Sequence, residues 1–144
     1  MSFSILNQHE KLGWDFDRTL HDHPKSELMH EYIKAHPEKR HYIVTFRSHG
    51  WQDRIWDELA IYPNAPPPEA FEGIVNMDDD IYARFHDATR GSVLIGSEDI
   101  RTYIEWKGKM CAELGLTILI DDMKDMVLSG CEKHSIAYLH PDDL

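Results

Sequence analysis

The chain has 144 residues and a net charge of −11, from 15 Lys and Arg against 26 Asp and Glu. That length makes a single domain, residues 1–144, which can bury a core without disulfides or structural zinc. That charge repels phosphate backbones and anionic lipid, so neither general nucleic-acid binding nor membrane binding is expected.

Met1 to Glu10 has no basic start and no long apolar stretch, and no apolar run elsewhere reaches bilayer length. Cys111 and Cys131 form no CxxC pair. Reduced thiols in a cytoplasmic chain are therefore expected.

Lys11–Phe16 reads as a short strand ending in acid. Pro24 opens a helix in which Leu28, Met29, Tyr32 and Ile33 recur at helical spacing, and Pro37 closes it. His41–Phe46 is a buried strand. Trp51, Ile55, Trp56 and Leu59 mark a second helix, stopped near Pro63. Tyr62–Ala70, with three consecutive prolines, is a rigid loop. Phe71–Met77 and Ser92–Ile95 are strand-like, and Asp78-Asp79-Asp80 reads as a solvated helix start, favoured by the helix dipole. Ile100, Tyr103, Ile104, Cys111 and Leu114 share one helical stripe, with Gly115 as its C-terminal cap. Leu116–Ile120 is a fully apolar strand, Asp125–His134 a helix and Ile136–Leu139 a last strand. Strands alternating with helices, several of them continuously apolar, predict an α/β three-layer Rossmann-like domain with a mainly parallel sheet and no large cap domain. Ligands in such sheets bind beyond the carboxyl ends of the strands.

The residues after the buried strands therefore carry the chemistry. Asp15 and Asp17 are two apart, which on an extended segment points both to one side. Asp121 and Asp122 end another buried strand. Were those strands neighbours, three or four carboxylates would share a small volume. Two charges about 4 Å apart at an effective dielectric near 20 repel by roughly 4 kcal/mol, which calls for a cation or for raised pKa values. Oxygen-only ligands suit magnesium. The bland reading is that each acid pair caps the next helix or turn. Thr45, followed by Arg47 and Ser48, ends its strand where a hydroxyl can hold a phosphoryl oxygen. Lys107, unlike Lys109, falls in phase with the apolar stripe of its helix, so its ammonium must snorkel or find buried carboxylates.

Asp15-Phe16-Asp17-Arg18-Thr19-Leu20, Tyr42-Ile43-Val44-Thr45, Lys107 and Ile118-Leu119-Ile120-Asp121-Asp122, in this order, resemble the four motifs of the haloacid dehalogenase superfamily of phosphotransferases. The resemblance implies a phosphatase acting on a phosphate monoester. Asp15 would be the nucleophile, forming an aspartyl-phosphate, and Asp17 the general acid and then base. Thr45 and Lys107 would hold the phosphoryl oxygens. Magnesium would be bound by Asp15, the Asp17 backbone carbonyl and one of the last two acids. Asp122 is favoured as that ligand because it stands where the chain turns, which leaves Asp121 to hydrogen-bond nearby groups or to hold Lys107; Asp121, Arg18 and Arg47 are accessory candidates. Many members of the family carry glycine where Arg18 stands. Capless members tend to act on large substrates or to use a partner subunit as lid, so the expected partners are a phosphorylated substrate of open identity and, as an alternative left open, a second copy of the chain.

Two rivals stand beside this reading. One is a catalytically inactive binding protein of the same fold. The other is a receiver-like phospho-acceptor, disfavoured because here the paired acids come first and the lysine precedes the last acids. His21-Asp22-His23 offers donors that a transition metal accepts, although lining the site mouth or sitting in water is the commoner role for such a run. Trp51 and Trp56 read as core or groove wall, and Cys111 as a buried, inert thiol.

Overall fold

A computed structural model describes residues 2–90 and 98–144. The strand expected at Ser92–Ile95 lies outside the described residues. Five strands, β1 (Lys11–Trp14), β2 (Arg40–Ser48), β3 (Gly73–Met77), β4 (Ile118–Ile120) and β5 (Ala137–Leu139), form one sheet in the order β3-β2-β1-β4-β5. Every pairing in it is parallel. The helices are α1 (Ser26–Ala35), α2 (Gln52–Leu59), α3 (Asp79–Arg90), α4 (Glu98–Leu114) and α5 (Lys124–Lys133). Among the described residues there is no large cap domain, and no helix is long and apolar enough to cross a membrane.

Strand periodicity splits the core into two halves. Leu12, Trp14, Ile43, Ile118 and Ile120 face α1 and α2, where they meet Met29, Ile33, Ile55 and Leu59. Val44 and Leu119 face the other way and join Tyr103, Trp106, Cys111, Val127 and Cys131 of α4 and α5. Both sheet faces are thus covered, which is why the strands read as continuous apolar runs.

The chain runs outward from β1 to β3 and then returns to β4 on the other side of β1. The switch point therefore lies between the carboxyl ends of β1 and β4, where Asp15 and Asp121 emerge. Asp78 begins α3 by accepting from the N–H groups of Asp80 and Ile81, as expected of the acidic run. Gly115 ends α4 with φ of 73°, a left-handed conformation that glycine adopts at little cost.

Helices α4 and α5 touch backbone to backbone. A Cβ on Gly108 would lie 2.2 Å from the carbonyl carbon of Gly130, and one on Gly130 would lie 2.7 Å from the Glu105 carbonyl oxygen. Only glycine at both positions permits this approach, and it seats the neighbouring Lys107 against the strand ends.

Candidate active site at the β1–β4 switch point

The sheet ladder itself sets the acids side by side. Leu12 to Trp14 pairs with Ile118 to Ile120, and the Asp15 N–H continues the pattern by donating to the Ile120 carbonyl at 2.9 Å. Asp15, Asp121 and Asp122 consequently offer carboxylate oxygens that all lie within 4.8 Å of one another. Lys107 Nζ reaches into this cluster from α4. It donates to Asp15 Oδ1 at 2.8 Å and to Asp121 Oδ2 at 2.7 Å, and lies 4.5 Å from the centroid of the Phe46 ring. The lysine is 1% exposed and Asp121 is fully buried, so this is a desolvated ion-pair network rather than a surface bridge.

The electrostatics follow from burial and neighbours. Burial is the largest influence on the Asp15 carboxyl and raises it well above the usual range; the Lys107 ammonium works against that and the Asp121 charge adds to it. Burial pulls the Lys107 ammonium down, but the carboxylates of Asp121 and Asp15 outweigh it and hold the group above its ordinary value.

The last two acids have different surroundings. Both Asp121 oxygens are engaged, one by Lys107 and the other by the Met123 N–H at 2.8 Å. Asp122 is half-buried and lines a cavity of about 220 Å³ together with Asp15, Asp17, Arg18, Phe46, Tyr103 and Met123. Asp15, Asp17 and Asp122 are thus the acids that line this space, and Asp121 is not among them. Tyr103 stacks between Phe46 and Phe85, at centroid distances of 4.5 Å and 3.8 Å, and burial pushes its hydroxyl up to about 12.

Asp17 departs from the extended geometry that would converge it on Asp15. Strand β1 ends at Trp14, and the N–H groups of Thr19 and His21 fold back onto the Phe16 carbonyl. Arg18 takes φ of 57° in this turn. Glycine would adopt this left-handed conformation at lower cost. The Asp17 side chain is 50% exposed, and both its oxygens accept from Arg47, at 2.6 Å and 2.9 Å. Arg47 also binds both oxygens of Glu58 on α2, at 2.8 Å and 3.1 Å. Those hydrogen bonds, to Glu58 first and Asp17 second, raise the guanidinium above its ordinary value.

Thr45 is buried on the neighbouring strand, where its hydroxyl accepts from the Arg47 N–H at 3.1 Å; it does not line the Asp15 cavity. Strand β2 runs on past it to Ser48 through an irregularity in its pairing with β3, which carries Arg47 toward Asp17. Arg18 is exposed at the cavity mouth and has no hydrogen-bond or ion-pair partner among the described residues.

The His21-Asp22-His23 run does not gather around one point. His21 stacks on Phe16 and lies 3.4 Å from Glu58, whereas His23 pairs with Asp142 at 2.8 Å. Cys111 and Cys131 are free and buried, and burial pushes both thiols up to about 12, where they are unreactive. Glu58 and the Gly108–Gly130 contact escaped the sequence reading, and Tyr103, read there as part of an apolar stripe, lines the cavity as well. The available signal for the glycine contact was a glycine inside each of two helical stretches.

The donor set fits magnesium. Three carboxylates and one ammonium would carry a formal charge of −2 if all were ionised, which one divalent cation would neutralise, and the grouped ligand atoms are carboxylate oxygens. Comparison of the chain with family models, with curated proteins and with solved structures gives no match.

Proposed function

We propose that the protein is a magnesium-dependent phosphatase of the haloacid dehalogenase type that hydrolyses a phosphate monoester through Asp15. The observation that carries this is the buried Lys107 ammonium shared between Asp15 and Asp121, with Asp122 beside them. A lone structural ion pair needs no third carboxylate, and none facing a cavity. The order of the motifs along the chain supports the same reading.

Asp15 and Asp122 would hold magnesium, with the Asp17 carbonyl as the third protein ligand that the resemblance implies; when bound, the ion neutralises charge on the phosphoryl group and the acids. Lys107 keeps one Asp15 oxygen oriented. The other Asp15 oxygen attacks phosphorus, the bond to the substrate alcohol breaks, and Asp17 gives that alcohol a proton. Asp17 then takes a proton from water, which attacks phosphorus, and phosphate leaves as the Asp15 carboxylate re-forms. Arg18 stands free at the mouth to meet the incoming phosphate. Positioning and charge neutralisation account for most of the barrier lowering in such transfers.

One observation favours a binding-only rival. Both Asp17 oxygens accept from Arg47, so that pair must open before Asp17 can deliver a proton. Phosphate release from phosphate monoesters, with magnesium and with excess chelator, tests the two readings. Catalysis is expected with the ion alone and is lost in Asp15→Asn, which also loses trapping by beryllium fluoride. Substrate binding without release under all conditions would leave the rival standing.

A further inference from the structure

A second cavity, of about 590 Å³, adjoins the first and shares Asp17 and Phe46 with it. Its walls come from the end of β2, the turn before α2, and α3: Phe46, Arg47, Ser48, Trp51, Asp79 and Tyr82. The volume is that of a small-molecule site. Three of the six are aromatic, and two of those are large rings left open to solvent: Trp51 is 47% exposed and Tyr82 42%. The Arg47 guanidinium lies 5.8 Å from the Trp51 ring and extends that planar surface. The Phe46 ring belongs to both cavities, so a molecule reacting at Asp15 projects its remainder here.

Charge narrows what that remainder is. Among the described residues, the only cation lining this cavity is Arg47, and it is already engaged by Asp17 and Glu58. Asp79 adds a carboxylate. A second phosphate would meet acids with no free cation, whereas a neutral ring meets stacking surfaces, and Ser48 and Asp79 offer hydrogen bonds to ring or sugar substituents. The protein's net charge of −11 likewise disfavours a polynucleotide.

We infer, resting on the phosphatase reading, that this cavity holds the alcohol portion of the substrate, and that this portion carries a planar aromatic or heteroaromatic ring of about nucleoside size. The substrate is then a small phosphate monoester held by the chain's own walls, and no partner is needed as lid.

Adenosine 5′-monophosphate and ribose 5-phosphate test this, because both are primary phosphate esters at the ribose 5-position and they differ by the base. Benzyl phosphate separates a requirement for a ring from one for a nucleoside. With magnesium, kcat/KM for adenosine 5′-monophosphate should exceed that for ribose 5-phosphate by roughly five- to a hundredfold, the worth of one stacked base. Trp51→Ala and Tyr82→Ala should each narrow that ratio; both side chains are exposed, so the variants should fold. Binding of the same two compounds is measured by calorimetry in parallel. Equal kcat/KM for the pair, unmoved by either variant, overturns the inference and leaves the phosphatase reading intact. No hydrolysis of any ester, with base-dependent binding that Trp51→Ala abolishes, sustains the cavity and overturns the phosphatase reading. No hydrolysis and equal binding overturns both.

Discussion

Lys107 Nζ donates to Asp15 Oδ1 at 2.8 Å across 92 positions of sequence, and both side chains are buried. Removing one partner of a buried pair strands the other charge and costs about 3–5 kcal/mol. Lys107→Met should therefore lower stability by that order and abolish turnover. Lys109 sits on the exposed face of the same helix, paired at 4.0 Å with Glu113, and Lys109→Ala should change stability by less than about 0.5 kcal/mol. Urea unfolding of the two variants makes the comparison, and equal mild effects would mean that Lys107 has no special role.

Asp121 and Asp122 should separate cleanly. Asp122→Asn replaces an oxygen that lines the cavity with an amide that can still hydrogen-bond Asp15, so it should move the magnesium midpoint of thermal stabilisation upward and leave the metal-free protein nearly unchanged. Asp121→Asn weakens the partner of both Lys107 and the Met123 N–H, so it should destabilise the metal-free protein first. Melting temperature followed through a magnesium titration reads both effects. The reverse order would put the ligand at Asp121.

Much of this arrangement is legible in the sequence because it follows from periodicity. The apolar run Leu116–Ile120 reads as a strand buried on both faces, so the acids after it emerge at its carboxyl end. The phase of Lys107 along α4 points it inward before any contact is known. What escapes is what periodicity does not encode. The Asp17–Arg47–Glu58 network joins a turn, a strand and a helix, and no local spacing announces it. Extended geometry placed Asp17 beside Asp15, but β1 stops at Trp14 and the following turn swings the side chain toward Arg47. The aromatic cavity likewise depends on where α3 packs, which Asp79 and Tyr82 alone do not reveal.

Gly108 offers a prediction whose sign runs against local propensity. In an isolated helix, glycine to alanine gains about 1 kcal/mol. Here the new Cβ would lie 2.2 Å from the Gly130 carbonyl carbon and 2.6 Å from the Cys131 nitrogen, both backbone atoms that no rotamer change can clear. Overpacking of this kind costs about 1–3 kcal/mol, so Gly108→Ala should lower the urea midpoint. Helices forced apart would also draw the adjacent Lys107 from Asp15, so activity should fall with stability. A raised midpoint would show that α4 and α5 part without cost.

Acid sensitivity should come from two buried histidines. The Trp14 indole N–H donates to His41 Nδ1 at 3.1 Å, so the His41 proton sits on Nε2, which donates to the His36 carbonyl at 3.1 Å. His30 Nε2 donates to the Leu20 carbonyl at 2.8 Å, and its Nδ1 is buried without a partner among the described residues. Each ring is therefore neutral, and a second proton would have no acceptor. Burial is the main cause that lowers both pKa values from 6.5. The unfolded chain takes up protons as pH falls through 6.5 while the native protein does not, so acid favours unfolding. Stability present at pH 7 should be lost toward pH 5, with a slope of at most about 1.4 kcal/mol per pH unit for each histidine. Asp15 acts in the opposite direction, because its raised pKa lets the native metal-free protein take up a proton. The Asp15→Asn background removes that contribution. Urea midpoints of that variant at pH 7, 6 and 5 should fall steadily, and His30→Gln introduced into it should flatten the decline. A midpoint that is constant or rises on acidification would mean that these histidines are protonated in the native state.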